Sequence, residues 1–257
     1  MTNIEFVNIK KTYLHNMNVN DKKIVEPTLK NFNLKINNQE FLCLFGPNGC
    51  GKTTILNLLA GLIEPDEGSI LLNFNQSRKI SYIFQNYNDT ILPWRTNLDN
   101  LTFPLEISGF SKKEAKKKVI EFVNNFDIDI NLGKYPYQMS GGQKQLLVIY
   151  RAMIYEPEVF LLDEPFSALD YDMRTSMEME LLKIWRKNKI TTLFVSHEID
   201  ETILLSDRII ILSSNPANIV GEIKVDLPRP RNLNVIDSVE FNEIRKQVIN
   251  IYKETKL

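Results

Sequence analysis

The most informative segment of the chain is a glycine-rich octapeptide, Gly46-Pro47-Asn48-Gly49-Cys50-Gly51-Lys52-Thr53. It follows the apolar run Phe41–Phe45, which is typical of a buried strand, and precedes Thr54–Ala60, which predicts a helix. Glycines let the backbone curl so that N–H groups face an anion, and the helix N-terminus adds its positive dipole end. Lys52 supplies a positive charge and Thr53 a hydroxyl for Mg²⁺. The octapeptide therefore predicts a phosphate-binding loop for a nucleoside triphosphate.

Composition indicates a globular chain with one large domain, or a domain with a subdomain. The 257 residues are 43% hydrophobic and 25% charged, which is enough for a sizeable core. The net charge of −1 predicts no general attraction to nucleic acid or to an anionic membrane. The apolar runs fall far short of the roughly 20 residues that span a bilayer, and the polar N-terminus does not resemble a signal peptide. We therefore expect a soluble, cytosolic chain.

The hydrophobic pattern changes along the chain from strand-like to helical and back. Alternating segments at Ile4–Ile9 and Leu29–Ile36 predict N-terminal antiparallel strands, separated by an irregular polar segment at 14–27. From Asn86 to Tyr155 the periodicity is helical, with a capping box at Ser111–Glu114. The five lysines between 112 and 118 are interpreted as the solvated face of an amphipathic helix rather than a nucleic-acid surface. The segment predicts an inserted helical subdomain.

Two carboxylates follow the unbroken apolar strand predicted at Val159–Leu162. In a parallel sheet that carries a phosphate loop, the carboxyl ends of the strands form the ligand edge. Asp163 is expected to hold the hydration shell of Mg²⁺, and Glu164 to polarise the water that attacks the γ-phosphate. His197 likewise follows a predicted strand, Thr191–Val195, where it would touch the γ-phosphate. The alternative for His197 is a hydrogen-bonded histidine of the core.

For two further residues, position alone leaves two interpretations open. Gln85 ends the strand predicted at Ile80–Phe84, where its carbonyl oxygen would reach Mg²⁺ or the attacking water, or would simply bond at the sheet edge. Tyr13 follows the first predicted strand and is either an ordinary strand-end aromatic or the residue that stacks on the adenine base.

A second helix start resembles the phosphate loop but has no lysine: Ser140-Gly141-Gly142-Gln143. A serine and two glycines that open a helix again present backbone N–H groups to an anion. Unless the two helix ends face each other within one protomer, they predict a head-to-tail dimer. Each nucleotide would then be held by the loop of one chain and the second helix end of the other.

Together these elements resemble the nucleotide-binding subunit of ABC transporters. Six motifs of that family occur in order over residues 5–212: Walker A at Gly46–Thr53, the Q-loop at Gln85, the signature at Ser140–Gln143, Walker B at Val159–Glu164, the D-loop at Ser167–Asp170 and the H-loop at His197. The resemblance implies an α/β fold, with a P-loop NTPase (RecA-like) core, an N-terminal antiparallel β subdomain and an inserted helical subdomain. It also implies two ATP molecules sandwiched between Walker A of one subunit and the signature of the other.

The resemblance implies ATP and Mg²⁺ as ligands and assigns the site residues by motif. The catalytic residues would be Glu164, His197 and Gln85. The metal site would be formed by Thr53, Gln85 and Asp163. The nucleotide would be contacted by Tyr13, Gly46, Pro47, Asn48, Gly49, Cys50, Gly51, Lys52, Thr53, Thr54, Ser140, Gly141, Gly142, Gln143 and Asp170.

A narrower resemblance is to the ATPase subunits of nitrate/sulfonate/taurine importers, a group with relatives that handle pyrimidine precursors of thiamine. It is carried by Ile91–Thr96 and by the tail Val225–Arg231. It implies a separate transmembrane permease whose coupling helix docks at Asn86–Thr96. It also implies an extracytoplasmic substrate-binding protein, which would be an indirect partner of this chain. The subunit would lie peripherally on the cytoplasmic face of the cell membrane, with no nucleic-acid partner.

The predicted organisation is a single ABC ATPase domain over residues 1–257. Its nucleotide-binding core with the β subdomain spans 1–86 and 156–217, its helical signature subdomain 87–155, and its C-terminal strand and helix 218–257. In this last segment, the alternation of Ile219, Ile223, Val225 and Leu227 predicts the strand. Two other classes stay open. One is a nucleic-acid or ribosome-associated ABC ATPase, and the other is a mechanical or regulatory ABC ATPase that works with a membrane partner but moves no solute.

Overall fold

The computed structural model describes residues 2–13, 27–73, 79–167, 169–214 and 216–254. The irregular segment predicted at 14–27 therefore lies outside the described residues except for its last position. The strands are β1 (Thr2–Lys11), β2 (Leu29–Asn37), β3 (Phe41–Phe45), β4 (Glu67–Leu72), β5 (Ile80–Ile83), β6 (Val159–Asp163), β7 (Thr191–Ser196), β8 (Arg208–Leu212) and β9 (Ile219–Lys224). The α-helices are α1 (Lys52–Ala60), α2 (Asn97–Ile107), α3 (Lys112–Phe126), α4 (Gly141–Met153), α5 (Tyr171–Asn188), α6 (Ile199–Leu205) and α7 (Val239–Glu254).

The chain divides into two compact units. Met1–Ser77 with Ile190–Leu257 forms the phosphate-loop unit, and Arg78–Lys189 forms the signature unit. The signature unit therefore contains β5 and β6 as well as the helices α2 to α5. The domain boundaries predicted at 87 and 155 follow sequence motifs rather than compactness, and they stay a prediction.

In the phosphate-loop unit, β1 pairs with β2 and β4 to form an antiparallel sheet in the order β2-β1-β4. This confirms the antiparallel strands predicted at the N-terminus. Phe6 and Phe32, on β1 and β2, pack edge to face with ring centroids 6.1 Å apart. Their buried rings give the sheet an apolar face.

The second sheet region of this unit carries the phosphate loop. β3 lies between β7 and β8, parallel to both, and β9 pairs antiparallel with β8. All five residues of β3 are buried, as expected for a central parallel strand. The loop leaves β3 at its carboxyl end and enters α1, so the predicted strand–loop–helix order is confirmed.

The C-terminal strand is shorter than the sequence pattern predicts. Alternation suggested a strand from Ile219 as far as Leu227, but β9 ends at Lys224. Val225 and Leu227 are still buried, but their carbonyl oxygens accept hydrogen bonds from the guanidinium of Arg231. These two carbonyl oxygens therefore bond a side chain, although the N–H of Val225 still bonds the carbonyl oxygen of Asp207, directly before β8, at 2.9 Å.

In the signature unit, β5 and β6 are parallel, and α2 packs against both α3 and α4. Ser111 and Glu114 form the predicted capping box of α3. Met177, Leu181, Leu182 and Trp185 on α5 are buried, which confirms their interpretation as core. Among the described residues, no helix has the length and apolarity needed to cross a membrane.

Candidate functional site

The phosphate loop encloses the ammonium of Lys52. Its Nζ donates hydrogen bonds to the carbonyl oxygens of Gly46 at 2.8 Å and Pro47 at 2.9 Å, and the side chain is 5% exposed. An ammonium has three donors, so these two bonds fix its position and leave a third N–H. The loop thus holds a buried positive charge at the N-terminus of α1, where anions are favoured.

Two glycines of the loop are required by geometry. A Cβ on Gly46 would lie 2.9 Å from the carbonyl oxygen of Leu212, because the loop leaves β3 close beside β8. Gly51 has φ +110°, in the left-handed region that side chains disfavour, and it caps α1. The loop therefore keeps its curled backbone only with glycine at these positions.

Tyr13 lies beside the first turn of the helix that follows the loop. Its hydroxyl is 3.4 Å from Oγ1 of Thr54, and the side chain is 40% exposed. The structure thus brings a residue from the end of β1 to the N-terminal turn of α1 and leaves part of the ring open. Stacking on adenine stays a prediction, and this position is compatible with it.

His197 is exposed directly after β7. Its side chain is 42% exposed, and Nε2 lies 4.0 Å from a carboxylate oxygen of Glu198. The alternative of a buried core histidine is therefore wrong. The imidazole lies at the same strand-end edge that carries the phosphate loop on β3, since β3 and β7 are parallel neighbours.

In the signature unit, Asp163 is the last residue of β6 and is 4% exposed. The hydroxyl of Tyr82 donates to its Oδ2 at 3.4 Å. Burial raises the pKa of Tyr82, and the neighbouring Asp163 charge raises it further, so the phenol stays protonated as a donor. Sequence reasoning missed Tyr82. Local patterns do not show that β5 pairs with β6, and it is this pairing that places Tyr82 opposite Leu161, two residues before Asp163.

Glu164 has an unusual backbone conformation. Its φ is 45°, in the left-handed region that costs a non-glycine residue about 1 kcal/mol or more. Its carbonyl oxygen accepts from the backbone N–H of Ser167 at 3.3 Å and from the hydroxyl of Ser167 at 3.1 Å. The turn after β6 therefore sets the direction of the half-buried Glu164 side chain. Gln85 is exposed two residues beyond the end of β5.

The predicted second helix start is confirmed at α4. Ser140 is the N-cap: its hydroxyl accepts from the N–H of Gln143 at 3.3 Å, and the Gln143 side chain accepts from the N–H of Ser140 at 3.1 Å. Ser140 and Gly141 are exposed, whereas Gly142 is buried. The first turn of α4 is thus held in shape by its own side chains while its end faces solvent.

Gly142 connects this helix end to α5. A Cβ on Gly142 would fall 2.4 Å from Sδ of Met173, so a side chain there would require the methionine side chain to move. Asp170 caps α5 by accepting from the N–H of Met173 at 3.0 Å. Met173 thus joins the signature glycine to the capping aspartate, a relation that no local pattern showed. Ala168, in the predicted D-loop Ser167–Asp170, lies outside the described residues.

The predicted site residues fall in both units. Tyr13, Gly46 to Thr54 and His197 belong to the phosphate-loop unit, and Gln85, Ser140 to Gln143, Asp163, Glu164 and Asp170 belong to the signature unit. Within each unit they occupy strand ends, helix ends or the turns beside them. Such positions expose polar groups and backbone N–H donors, as phosphate binding and water activation require.

A family model described as ABC transporter matches residues 29–167 of this chain. The match covers more than half of the chain and includes the phosphate loop, the signature helix start, and the carboxylates of Asp163 and Glu164. The chain belongs to the ABC transporter family. Its α/β fold is that of a P-loop NTPase, and its activity is ATP hydrolysis.

Individual relatives agree with this membership. An uncharacterized ABC transporter ATP-binding protein of Methanocaldococcus jannaschii is 43% identical over 89% of this chain and 85% of its own length. The aliphatic sulfonates import ATP-binding protein of Bacillus cereus is 39% identical over 88% of both chains. A solved dimeric ATP-binding cassette, in a post-hydrolysis state with ADP and Pi, has a TM-score of 0.70 and 28% identity, over 88% of this chain and all of its own.

Other import ATP-binding proteins are similar to the same degree. Those named for nitrate in Synechococcus elongatus and bicarbonate in Synechocystis are 36% and 38% identical, but the match covers only 36% and 35% of those longer proteins. A protein named for spermidine/putrescine in Pasteurella multocida is 38% identical, over 99% of this chain and 68% of its own length. Identity alone therefore does not separate these relatives by their cargo.

Proposed function

We propose that this ABC ATPase powers the import of a small solute through a separate transmembrane permease. The observation that carries the ATPase step is the buried Lys52 ammonium inside the phosphate loop. The proposed cargo class is that of the nitrate/sulfonate/taurine importers or a related small organic solute. It is supported by the Bacillus cereus relative, whose match covers most of both chains.

The proposed roles of the site residues follow from their chemistry and motif positions. Lys52 and the loop N–H groups bind the β- and γ-phosphates, and Tyr13 stacks on the adenine. Glu164 accepts a proton from the attacking water, and His197 and Gln85 orient the γ-phosphate and that water. Catalysis of this kind is mainly positioning and charge stabilisation.

The donor set suits Mg²⁺, which prefers hard oxygen ligands. The Thr53 hydroxyl, the Gln85 carbonyl oxygen and the Asp163 carboxylate would hold it, and a bound Mg²⁺ would neutralise charge on the phosphates. The best structural indication is Asp163, a buried carboxylate at the carboxyl end of β6, the edge at which a parallel sheet with a phosphate loop holds its ligands.

The exposed start of α4 supports a head-to-tail homodimer. Ser140 and Gly141 face solvent, while the capping box and the Gly142–Met173 contact hold the helix end in shape. A rigid, exposed helix N-terminus suits a phosphate held on a second protomer. The solved cassette with a TM-score of 0.70 is itself dimeric.

An apolar groove of the signature unit is the proposed docking site for a coupling helix of the permease. Its volume is about 350 Å³. It lies beside the predicted docking segment Asn86–Thr96, to which its lining residue Thr90 belongs. Aromatic and aliphatic side chains dominate the lining, including Phe84, Phe103, Ile107 and Tyr155. Ile107 is 71% exposed and would be covered by such a helix, which would keep the subunit on the cytoplasmic face of the membrane.

The proposal is tested by purifying the tagged protein from detergent-solubilised membranes of its own cell and identifying the bound proteins and RNA. We expect a protein with several transmembrane helices in near-equal amount. Recovery of nucleic acid or ribosomes without a membrane protein would remove the transport function and leave the ATPase activity intact.

A pair of variants tests the groove separately. Ile107→Asp places a charge in the groove and should abolish recovery of the membrane protein, while ATP hydrolysis by the isolated subunit stays at the wild-type level. Ile120→Asp is the matched control, because Ile120 is 50% exposed on α3 and does not line the groove. Equal recovery with both variants would refute the docking site.

A further inference from the structure

His197 lies in a very short link between two secondary-structure elements. β7 ends at Ser196 and α6 begins at Ile199, so the link consists of His197 and Glu198. Glu198 is the N-cap of α6, but its side chain makes no capping hydrogen bond. The conformation of the link must therefore be fixed by other groups.

The hydroxyl of Ser196 closes a turn around His197. Ser196 Oγ accepts a hydrogen bond from the backbone N–H of Glu198 at 3.0 Å. This bond joins the residues on either side of His197, as in the local turns that serine side chains commonly form. The backbone of His197 is thereby held between a buried strand end and a helix start.

The same hydroxyl donates to a buried carboxylate. Ser196 Oγ makes a short hydrogen bond to Oε2 of Glu201, on the first turn of α6. Ser196 is 1% and Glu201 is 7% exposed, so neither group exchanges its partner readily for water. Glu201 lies one helical turn from the link. Its carboxylate therefore fixes the orientation of the Ser196 hydroxyl, which in turn bonds the backbone N–H of Glu198. The three residues form a network around an exposed histidine.

We propose that Ser196 and Glu201 are positioning residues for His197 in ATP hydrolysis. The inference rests on the proposed function, in which His197 orients the γ-phosphate. Neither residue touches the nucleotide in this proposal, and both act through the backbone of the link. Their loss would let the imidazole move while the phosphate loop on β3 stays intact, so turnover falls and ATP affinity does not.

The test measures kcat, the ATP KM and the thermal unfolding midpoint of the full chain. Glu201→Ala should lower kcat on the order of 10- to 100-fold, since a misplacement of about 1 Å can cost about 100-fold, with KM within about threefold of wild type. Glu201→Gln keeps an acceptor for the Ser196 hydroxyl and should retain most of kcat. Asp200→Ala is the matched control, because Asp200 is the adjacent acid on α6 but is half exposed.

A double-mutant cycle with His197→Ala separates the positioning role of Glu201 from the role of His197 itself. Glu201→Ala should cost little further turnover in the His197→Ala background, because it acts only through the imidazole. An equal loss in both backgrounds, or wild-type kcat for Glu201→Ala, would overturn the positioning role while His197 keeps its own. Wild-type turnover of His197→Ala would instead remove the proposed role of His197 and the inference with it.

Ser196→Ala is the second variant in case Glu201→Ala does not fold. It removes the hydrogen bonds of the hydroxyl to Glu198 and Glu201 with little change in volume and should also lower kcat. A folded Ser196→Ala protein with wild-type kcat would contradict the proposal.

Discussion

The ring of Tyr252 on α7 packs edge-on against Phe45, with centroids 5.1 Å apart and ring planes at 65°. Phe45 is the last residue of β3 and directly precedes Gly46, the first residue of the phosphate loop. The same helix reaches α6, because Arg245 forms two hydrogen bonds with the carboxylate of Asp200, at 2.6 and 2.8 Å. The C-terminal helix therefore contacts the strand that carries the phosphate loop and the helix that follows His197.

The first prediction concerns this aromatic pair. Tyr252→Ala removes the edge-to-face contact and part of the packing on β3, and should lower the free energy of unfolding by about 2 kcal/mol. Urea unfolding followed by circular dichroism measures it. Tyr252→Phe keeps the ring and should stay within about 0.5 kcal/mol of wild type. Equal losses for the two variants would mean that the hydroxyl, rather than the ring, stabilises the fold.

The second prediction concerns Arg231, a buried guanidinium bonded to backbone carbonyls. It donates to the carbonyl oxygens of Ile203, Leu204, Ser206, Val225 and Leu227. Burial lowers the pKa of Arg231 to about 10, so the group stays charged at neutral pH. Arg231→Met leaves these carbonyls without their donor and should lower the free energy of unfolding by about 3 kcal/mol.

Two variants bracket this effect in the same urea unfolding experiment. Arg231→Lys supplies three N–H donors for five contacts and should give an intermediate loss. Arg245→Met removes a partly exposed ion pair and should cost about 1 kcal/mol or less. A loss for Arg231→Met no larger than for Arg245→Met would show that the carbonyl contacts contribute little.

The third prediction concerns nucleotide affinity. Lys52→Ala removes the ammonium held in the loop, and the ATP Kd should rise on the order of 10- to 100-fold, as expected for the loss of charge-assisted hydrogen bonds. Titration with a fluorescent ATP analogue measures it. Lys113→Ala, at an exposed position on α3, should bind like wild type. Normal affinity of Lys52→Ala would contradict the phosphate-loop assignment.

The fourth prediction concerns turnover. Glu164→Gln keeps the shape of the side chain but removes the base, so kcat should fall on the order of 10²- to 10⁴-fold while ATP binding persists. Because ATP is not consumed, a closed dimer should accumulate, and light scattering after size-exclusion chromatography would detect it. Glu156→Gln is the matched control, since Glu156 also has a left-handed backbone, with φ 53°, but lies on the surface. Wild-type turnover of Glu164→Gln would remove Glu164 from its role.

Local patterns predicted the elements of the site well. The loop between β3 and α1 and the helix starts at Ser111 and Ser140 were all expected from the sequence. Each depends on residues within a few positions of one another, where backbone preference and side-chain capping decide the conformation. The family motifs then assigned roles to residues that no local pattern could connect.

The partners of the site residues could not be predicted. Tyr82 bonds Asp163 across 81 positions of sequence, and Phe45 packs on Tyr252 from the opposite end of the chain. These contacts depend on strand register and on the packing of helices, which alternation and periodicity do not specify. The end of β9 was misplaced for a similar reason, because a buried arginine there takes carbonyls that the pattern assigned to a strand.

The sequence by itself determined the chemistry of this protein: a phosphate loop, a second helix start for an anion, and acids and a histidine after apolar strands. Those features are local, and a short segment contains all the atoms that define them. Only the tertiary structure decided how the groups are held, through Tyr82 against Asp163, Met173 against Gly142, and Ser196 with Glu201 around His197. Such support comes from residues brought together by folding, and its geometry exists only once the buried side chains have packed.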